Sequence, residues 1–223
     1  DLRHEDALTT ADNIMTFRLI TKEIALLNNI YASFMPKPLA GQNGSGLHIH
    51  QSLFKDDKNI FFDKNNPHHL SKTAEYYIAG LLKHCNEFFI LTNQWINSYK
   101  RLHRDFESPT RATWSTTSHN AMVRVPLCRP DKPNAMRIEL QNPDSTCNPY
   151  LALSGILAAG LKGIDEKYRL GNPMEDTDRP DLDDKNGAQH LPEQLHDALS
   201  HFESSSFMRE TLGDVLFKKI IEN

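Results

Sequence analysis

The stretch Asn43-Gly44-Ser45-Gly46-Leu47-His48-Ile49-His50 places a glycine turn directly before a run with strand-like alternation. Successive side chains of a strand point to opposite faces, so His48 and His50 share one face and Leu47 and Ile49 share the other. An ordinary core strand would have an apolar buried face. The stretch therefore predicts part of an active site that binds metal or phosphate. The alternative is a pair of hydrogen-bonded histidines on an exposed edge strand.

The composition is that of a globular protein with a hydrophobic core. Of the 223 residues, 39% are hydrophobic and 24% are charged, and the net charge is −4. This balance does not favour nucleic acid as a partner. Three cysteines without Cys-x-x-Cys spacing argue against a disulfide framework or a thiolate zinc site. The sequence shows no signal peptide and no membrane-spanning apolar run, so we expect a cytoplasmic protein with no membrane partner.

Helical and strand patterns alternate along the chain. Apolar spacing predicts helices over about residues 6–29 and 71–89, with Ser71 as an N-cap, and Asn148-Pro149 predicts the start of a helix that runs to about residue 164. Two further helices are expected near 192–201 and 206–222, and a long surface loop over 165–190. Strands are expected near residues 31–35, 47–50, 60–62, 112–115, 121–125 and 136–140. This mixture predicts one domain, residues 1–223, with a sheet or barrel covered by helices.

A second alternating run, 136–141, has an apolar face and a polar face. The polar face carries Arg137, Glu139 and Gln141. Taken alone, the run is typical of a half-exposed strand with a solvated side. If its polar face meets the histidine face, Glu139 and His48 make a site for a hard cation, and Arg137 is available for a phosphate.

Two further segments carry charged residues with more than one interpretation. Residues 97–102 and 106–109 have the composition of loops. Glu107 on a mobile loop suits a base or a lid, with Arg101 gripping a carboxylate, whereas the simpler alternative is a surface ion pair. Arg124 lies in an apolar strand pattern, and if it is buried it must find an anion or another partner.

Five motifs occur in order along the chain: Asn-Gly-Ser-Gly-Leu-His-Ile-His-Gln-Ser-Leu at 43–53, Asn-Ser-Tyr-Lys-Arg-Leu at 97–102, Val-Arg-Val-Pro at 123–126, Arg-Ile-Glu-Leu at 137–140 and Asn-Pro-Asp-Ser-Thr-Cys-Asn-Pro-Tyr-Leu-Ala at 142–152. Together they resemble the catalytic domain of glutamine synthetase of the bacterial and archaeal type. The resemblance implies an α+β fold, with a curved, mostly antiparallel sheet or partial barrel covered by long helices. It also implies an ATP-dependent ligase, in which glutamate attacks the γ-phosphate of ATP and ammonia then displaces phosphate from γ-glutamyl phosphate.

The resemblance assigns roles motif by motif. It implies Mg²⁺ or Mn²⁺ as the metal, held by His48 and Glu139. The resemblance implies that the catalytic residues are Glu107, on a flap over the acyl phosphate, and Arg124. The nucleotide and its phosphates would be bound by His50, Ser52, His119, Arg124 and Arg137, and the amino acid by Asn43, Gly44, Arg101 and Gln141.

Two positions depart from the family pattern. His119 stands where the family usually has a phosphate-binding arginine, and Gln141 stands where it has an arginine that contacts the acidic substrate. Loss of both charges should weaken phosphate or glutamate binding, or change the preferred acid. The 165–190 loop has no tyrosine after Tyr168, so control by adenylylation is not expected.

The chain opens without a methionine. The resemblance implies further metal-binding glutamates and a small N-terminal domain upstream of Asp1, in a parent protein that forms homo-oligomers. We therefore expect that the isolated 223-residue chain will not turn over, while the parent may be active.

Three functions remain open. The first is the glutamine synthetase-like ligase, acting on ammonia or, as γ-glutamyl-polyamine ligases do, on another amine. The second is a catalytically silent family member that acts as an assembly protein, suggested by His119 and Gln141. A barrel metallohydrolase built on His-x-His ranks last, because the other histidines fall mostly on predicted loops and helices.

Overall fold

The computed structural model describes residues 2–102, 108–174 and 188–222. Its helices are α1 (Ala7–Leu27), α2 (Lys72–Thr92), α3 (Ile96–Arg101), α4 (Pro149–Asp165), α5 (Leu195–Glu203) and α6 (Ser206–Glu222). Its strands are β1 (Ile49–Gln51), β2 (Phe54–Lys55), β3 (Lys58–Asn59), β4 (Trp114–Ser115), β5 (Val123–Arg124) and β6 (Ile138–Leu140). No described helix is long and apolar enough to cross a membrane.

A four-stranded sheet in the order β1-β6-β5-β4 holds the residues of both alternating runs. The β1–β6 and β5–β6 pairs are antiparallel, and the β4–β5 pair is parallel. One side of β6 is fully apolar, with Ile138 and Leu140 at 0% exposure. Long helices pack against this small sheet, which confirms the α+β class.

Helix starts follow the caps that the sequence indicates. The Ser71 hydroxyl accepts a hydrogen bond from the Ala74 amide at 3.1 Å and donates to the Ile60 carbonyl at 2.6 Å. The Asn148 side chain accepts from the amides at the start of α4, with proline at the first helical position. These two predicted helices are confirmed to within a few residues because a cap satisfies backbone donors locally.

Two predicted strands are wrong. Residues 31–35 belong to none of the described strands, and the Phe34 carbonyl accepts from the Ser145 hydroxyl at 2.6 Å. Residues 60–62 form a turn and a single bridge. The apolar side chain of Phe61 is buried against Tyr77, with ring centroids 5.2 Å apart, and it does not mark a strand. The strands here are β2 and β3, which are joined at Asp56 and Asp57, both at positive φ.

The loop predicted at 97–102 is also wrong, because most of it forms α3. The Trp95 amide donates to the Ser98 hydroxyl at 3.2 Å and the Ser98 amide donates to the Trp95 carbonyl at 2.8 Å, which starts the helix. This helix carries Arg101 in its last turn. The predicted 165–190 loop is described only up to residue 174 and from residue 188; its first residue, Asp165, ends α4, and residues 166–174 and 188–190 are not part of any helix.

Glycines let α2 and α4 approach closely. A Cβ on Gly163 would lie 2.6 Å from the Cα of Gly80, and a Cβ on Gly160 would overlap the ring of Tyr77. Contacts this short leave no room for a methyl group on either backbone. The helix pair that supports the sheet is therefore fixed by residues without side chains.

We expect the substitution Gly163→Ala to lower the free energy of unfolding by about 1–3 kcal/mol, the usual cost of overpacking. Gly171→Ala is the matched control, because a Cβ there meets nothing within 4 Å. It should change stability by no more than about 0.5 kcal/mol. Urea unfolding measures both variants, and equal losses would contradict the close helix contact.

Candidate active site

The carboxylate of Glu139 lies at the middle of the four-stranded sheet. Strand register places it between His50 on β1 and Arg124 on β5. Its Oε1 atom is 2.9 Å from Nδ1 of His48, and its Oε2 atom accepts from Nε of Arg124 at 2.7 Å. The polar faces of the two alternating runs therefore meet, as the sequence predicts.

Glu139 is a buried charge with its partners in place. Its side chain is only 5% exposed. Burial alone would raise the pKa, but hydrogen bonds from His48 and Arg124, with the nearby positive charge, lower it to about 2. The carboxylate is therefore ionised at neutral pH, and removing either partner would leave a buried charge uncompensated.

His50 is held as a neutral imidazole. Arg137 donates from Nε to Nδ1 of His50 at 3.0 Å, so this ring nitrogen carries a lone pair rather than a proton. Burial lowers the pKa of His50, as do the charges of Arg137 and Arg124, and these effects outweigh the opposing charge of Glu139. On this face of the sheet, Arg124 and Arg137 therefore lie beside the neutral ring of His50, and the two positive charges suit the binding of an anion.

Arg101 lies on the other side of the site, beneath the glycine turn. It is 4% exposed and donates to the backbone carbonyls of Asn142 and Gln141, both at 2.8 Å. Burial lowers the pKa of Arg101, and the charge of Asp144 opposes that effect. Gly46 passes so close that a Cβ on it would lie 2.5 Å from Nη2 of Arg101.

The remaining predicted site residues are spread around this centre. Asn43 and His119 are exposed, and Ser52 is half-buried just beyond β1. Gln141 is buried, and its Nε2 donates to the Ala121 carbonyl at 3.1 Å. Glu107 lies outside the described residues.

A set of buried polar residues behind Arg101 is not predicted by the sequence patterns. Asn93, Asn142 and Asp144 are all 0% exposed, and Nδ2 of Asn93 donates both to the Asn142 carbonyl and to Oδ2 of Asp144. The signal was present, because Asn142 and Asp144 belong to the Asn-Pro-Asp stretch that directly follows β6. Their partner Asn93 is about 50 positions away and could not be paired with them by spacing.

Residues 1–223 match the family model described as glutamine synthetase, catalytic domain. The chain belongs to the glutamine synthetase catalytic-domain family. A glutamine synthetase of Mycolicibacterium smegmatis is 45% identical over 226 residues, covering 100% of this chain and 51% of that protein. One from Methanosarcina mazei is 46% identical over 224 residues, covering 97% of this chain and 48% of that protein.

The fold agrees with that membership. The structure of Plasmodium falciparum glutamine synthetase solved by cryo-EM matches with a TM-score of 0.90 and 28% identity, covering 99% of this chain and 51% of that one. The chain spans about half the length of the curated glutamine synthetases it matches.

Metal donors do not cluster in the described part of this glutamine synthetase domain. Within the described ranges, no group of three or more His, Cys, Asp or Glu side chains is arranged to hold a metal ion. Nδ1 of His48 and Oε1 of Glu139 are nevertheless 2.9 Å apart. Neighbouring ligand atoms around an octahedral Mg²⁺ with bonds of about 2.1 Å are separated by roughly 3 Å, which is close to that distance. The pair therefore has the spacing of two neighbouring ligand atoms in a divalent-metal site.

Glu139 should make the stability of the domain depend on pH in a defined direction. Its folded-state pKa of about 2 is below the ordinary value of 4.5, so its stabilisation is present above pH 4.5 and is lost as pH falls towards 2. We expect the stability difference between wild type and Glu139→Gln to shrink as pH falls from about 4.5 towards about 3.

Urea unfolding at each pH measures this difference. Glu166→Gln is the control, because Glu166 pairs with Lys162 at the surface and both side chains are largely exposed. Its effect should be small at every pH. A wild-type minus Glu139→Gln difference that stays constant down to pH 3 would refute the buried ionised carboxylate.

Proposed function

We propose that the protein carrying this chain joins glutamate to ammonia, using ATP, through γ-glutamyl phosphate. The observation that carries the proposal is the Glu139 centre, where an ionised carboxylate, two histidines and two arginines converge on one sheet face. Membership of the glutamine synthetase catalytic-domain family supports this reaction over the hydrolase alternative. We place this activity in the cytoplasm and in a homo-oligomer of the full-length parent.

The two arginines suit phosphoryl transfer. The side chain of Arg124 is 23% exposed while it pairs with Glu139. Arg137 donates a hydrogen bond from Nε to Nδ1 of His50. Fixed guanidinium groups stabilise the charge that spreads over the transferred phosphoryl oxygens. We assign Arg124, Arg137, His50 and Ser52 to the phosphate and nucleotide side, with His119 at its exposed margin.

His48 and Glu139 are the proposed holders of Mg²⁺ or Mn²⁺. The imidazole and carboxylate supply two ligand atoms, and phosphate oxygens and water complete the coordination of such ions in nucleotide sites. A bound divalent ion would neutralise phosphate charge and polarise the γ-phosphoryl group. Arg124 donates to Oε2 of Glu139, so Oε1 is the carboxylate oxygen that would be available to a divalent ion.

The amino acid is proposed to bind at the glycine turn. Asn43 is exposed there, Gly44 packs against the side chain of Arg101, and the buried guanidinium supplies positive charge for the substrate carboxylate. Gln141 offers a neutral amide in place of the family's arginine, which should weaken the hold on the second carboxylate. Glu107, by the family resemblance, closes over the acyl phosphate and accepts a proton from ammonium.

A phosphate-release assay tests the proposed reaction. The 223-residue chain and the full-length parent are each given ATP, glutamate and a divalent ion, with ammonia or one of several polyamines as acceptor. We expect the parent to release phosphate with ammonia and the isolated chain to release none, because His48 and Glu139 are the only metal-holding residues that we assign among its described residues. Phosphate release only with a polyamine would show that the acceptor is that polyamine and not ammonia. No release from the parent with any acceptor would overturn the ligase activity in favour of a silent assembly protein.

A further inference from the structure

Arg101 is a buried cation that is held by backbone carbonyls. Among the described residues, its hydrogen bonds go to the carbonyls of Asn142 and Gln141, and the negative charge of Asp144 lies near enough to favour its charged form. A guanidinium bound to two carbonyl oxygens moves with those carbonyls as long as both hydrogen bonds hold. The position of Arg101 is therefore set by whatever fixes residues 141–144.

The Asn142 carbonyl is fixed by Asn93, at the end of α2. This single oxygen accepts from Nη1 of Arg101 and from Nδ2 of Asn93, both at 2.8 Å. In return, the side-chain Nδ2 of Asn142 donates to Thr92 Oγ1 at 3.0 Å and to Asn93 Oδ1 at 3.2 Å. Thr92, Asn93 and Asn142 are all 0% exposed, so water cannot replace these bonds.

Asp144 links this network to the glycine turn. Its Oδ1 accepts from the Thr146 amide at 2.9 Å and from the Thr146 hydroxyl at 2.6 Å, and its Oδ2 accepts from Asn93 at 3.4 Å. Its backbone forms an antiparallel bridge with Gly46. Asp144 thus contacts the end of α2 with its side chain and the glycine turn with its backbone.

The glycine turn and the guanidinium are packed against each other. A Cβ on Gly46 would lie 2.5 Å from Nη2 of Arg101, and a Cβ on Gly44 would lie 3.0 Å from its Cγ. The Leu47 amide donates to the Pro143 carbonyl at 2.9 Å, which ties the turn to the same 141–144 segment. A shift of that segment would therefore displace the turn and Arg101 together.

We propose that Asn93 and Asp144 are positioning residues that hold Arg101 and the Gly44–Gly46 turn in register for the carboxylate of the amino-acid substrate. The inference rests on the proposed function for its ligand, and on the described contacts alone for its geometry. It assigns to this buried network the affinity for the amino acid and no part in binding ATP.

The test is Asp144→Asn in the full-length parent, which keeps the size of the side chain and removes the charge that faces Arg101. We expect the KM for glutamate to rise about tenfold, with kcat and the KM for ATP within about twofold, because only the carboxylate subsite is loosened. Hydrogen exchange of residues 43–48, followed by mass spectrometry without substrate, should become faster.

Ser205→Ala is the matched control. Ser205 is also buried, at 5% exposure, and loses comparable hydrogen bonds to Glu87 and to the Met208 amide, but it lies at the start of α6 and outside the network. It should lower stability without changing the KM for glutamate or the exchange of residues 43–48. If Asp144→Asn does not fold, Thr146→Val removes the hydroxyl that orients Asp144 and should raise that KM about threefold.

The outcomes separate this proposal from the proposed function. An unchanged KM for glutamate in a folded variant, or an equal change in the constants for both substrates, would overturn the positioning role. If the wild-type parent releases no phosphate with any acceptor, the proposed function fails, and the exchange measurement alone decides. In that case faster exchange of residues 43–48 in Asp144→Asn supports the network, and unchanged exchange overturns it.

Discussion

A carboxylate buried in the middle of a small sheet constrains everything around it. Glu139 is ionised, with a pKa of about 2, in a position where an unpaired charge would cost several kcal/mol. His48 and Arg124 must therefore stay within hydrogen-bond distance, and each comes from a segment beside β6. A one-residue slip of register would turn these side chains to the apolar face, so the charge specifies the strand pairing as well as the site.

The segment that follows β6 connects the two halves of the site. Glu139 faces the histidines and arginines proposed for phosphate, while the carbonyls of Gln141 and Asn142 hold Arg101 beneath the glycine turn. A few consecutive residues thus carry both the charged centre and the support for the amino-acid subsite. The close contact of α2 with α4 matters for the same reason, because the end of α2 contributes Asn93 to that support.

Much of this arrangement could be predicted from local patterns. Alternation in residues 47–50 and 136–141 gives the shared face of His48, His50 and Glu139, and the caps at Ser71 and Asn148 give two helix starts. The errors have a common physical cause. Apolar residues 31–35 and 60–62 were predicted as strands because burial and strand pairing leave the same pattern in sequence. Helix α3 was predicted as a loop because it is one short turn-and-a-half whose start depends on the Trp95–Ser98 contacts. The network of Asn93, Asn142 and Asp144 depends on contacts between distant residues, which spacing does not show.

In the proposed site, Glu139 and His48 form one edge of a divalent-metal site while Arg124 holds the other carboxylate oxygen. The most direct measurement is an anomalous-scattering map of the full-length parent crystallised with Mn²⁺ and a non-hydrolysable ATP analogue. We predict a manganese peak in coordination contact with Nδ1 of His48 and Oε1 of Glu139, with the Arg124 ion pair intact. A manganese peak that contacts neither residue, with the His48–Glu139 hydrogen bond unchanged, would contradict it.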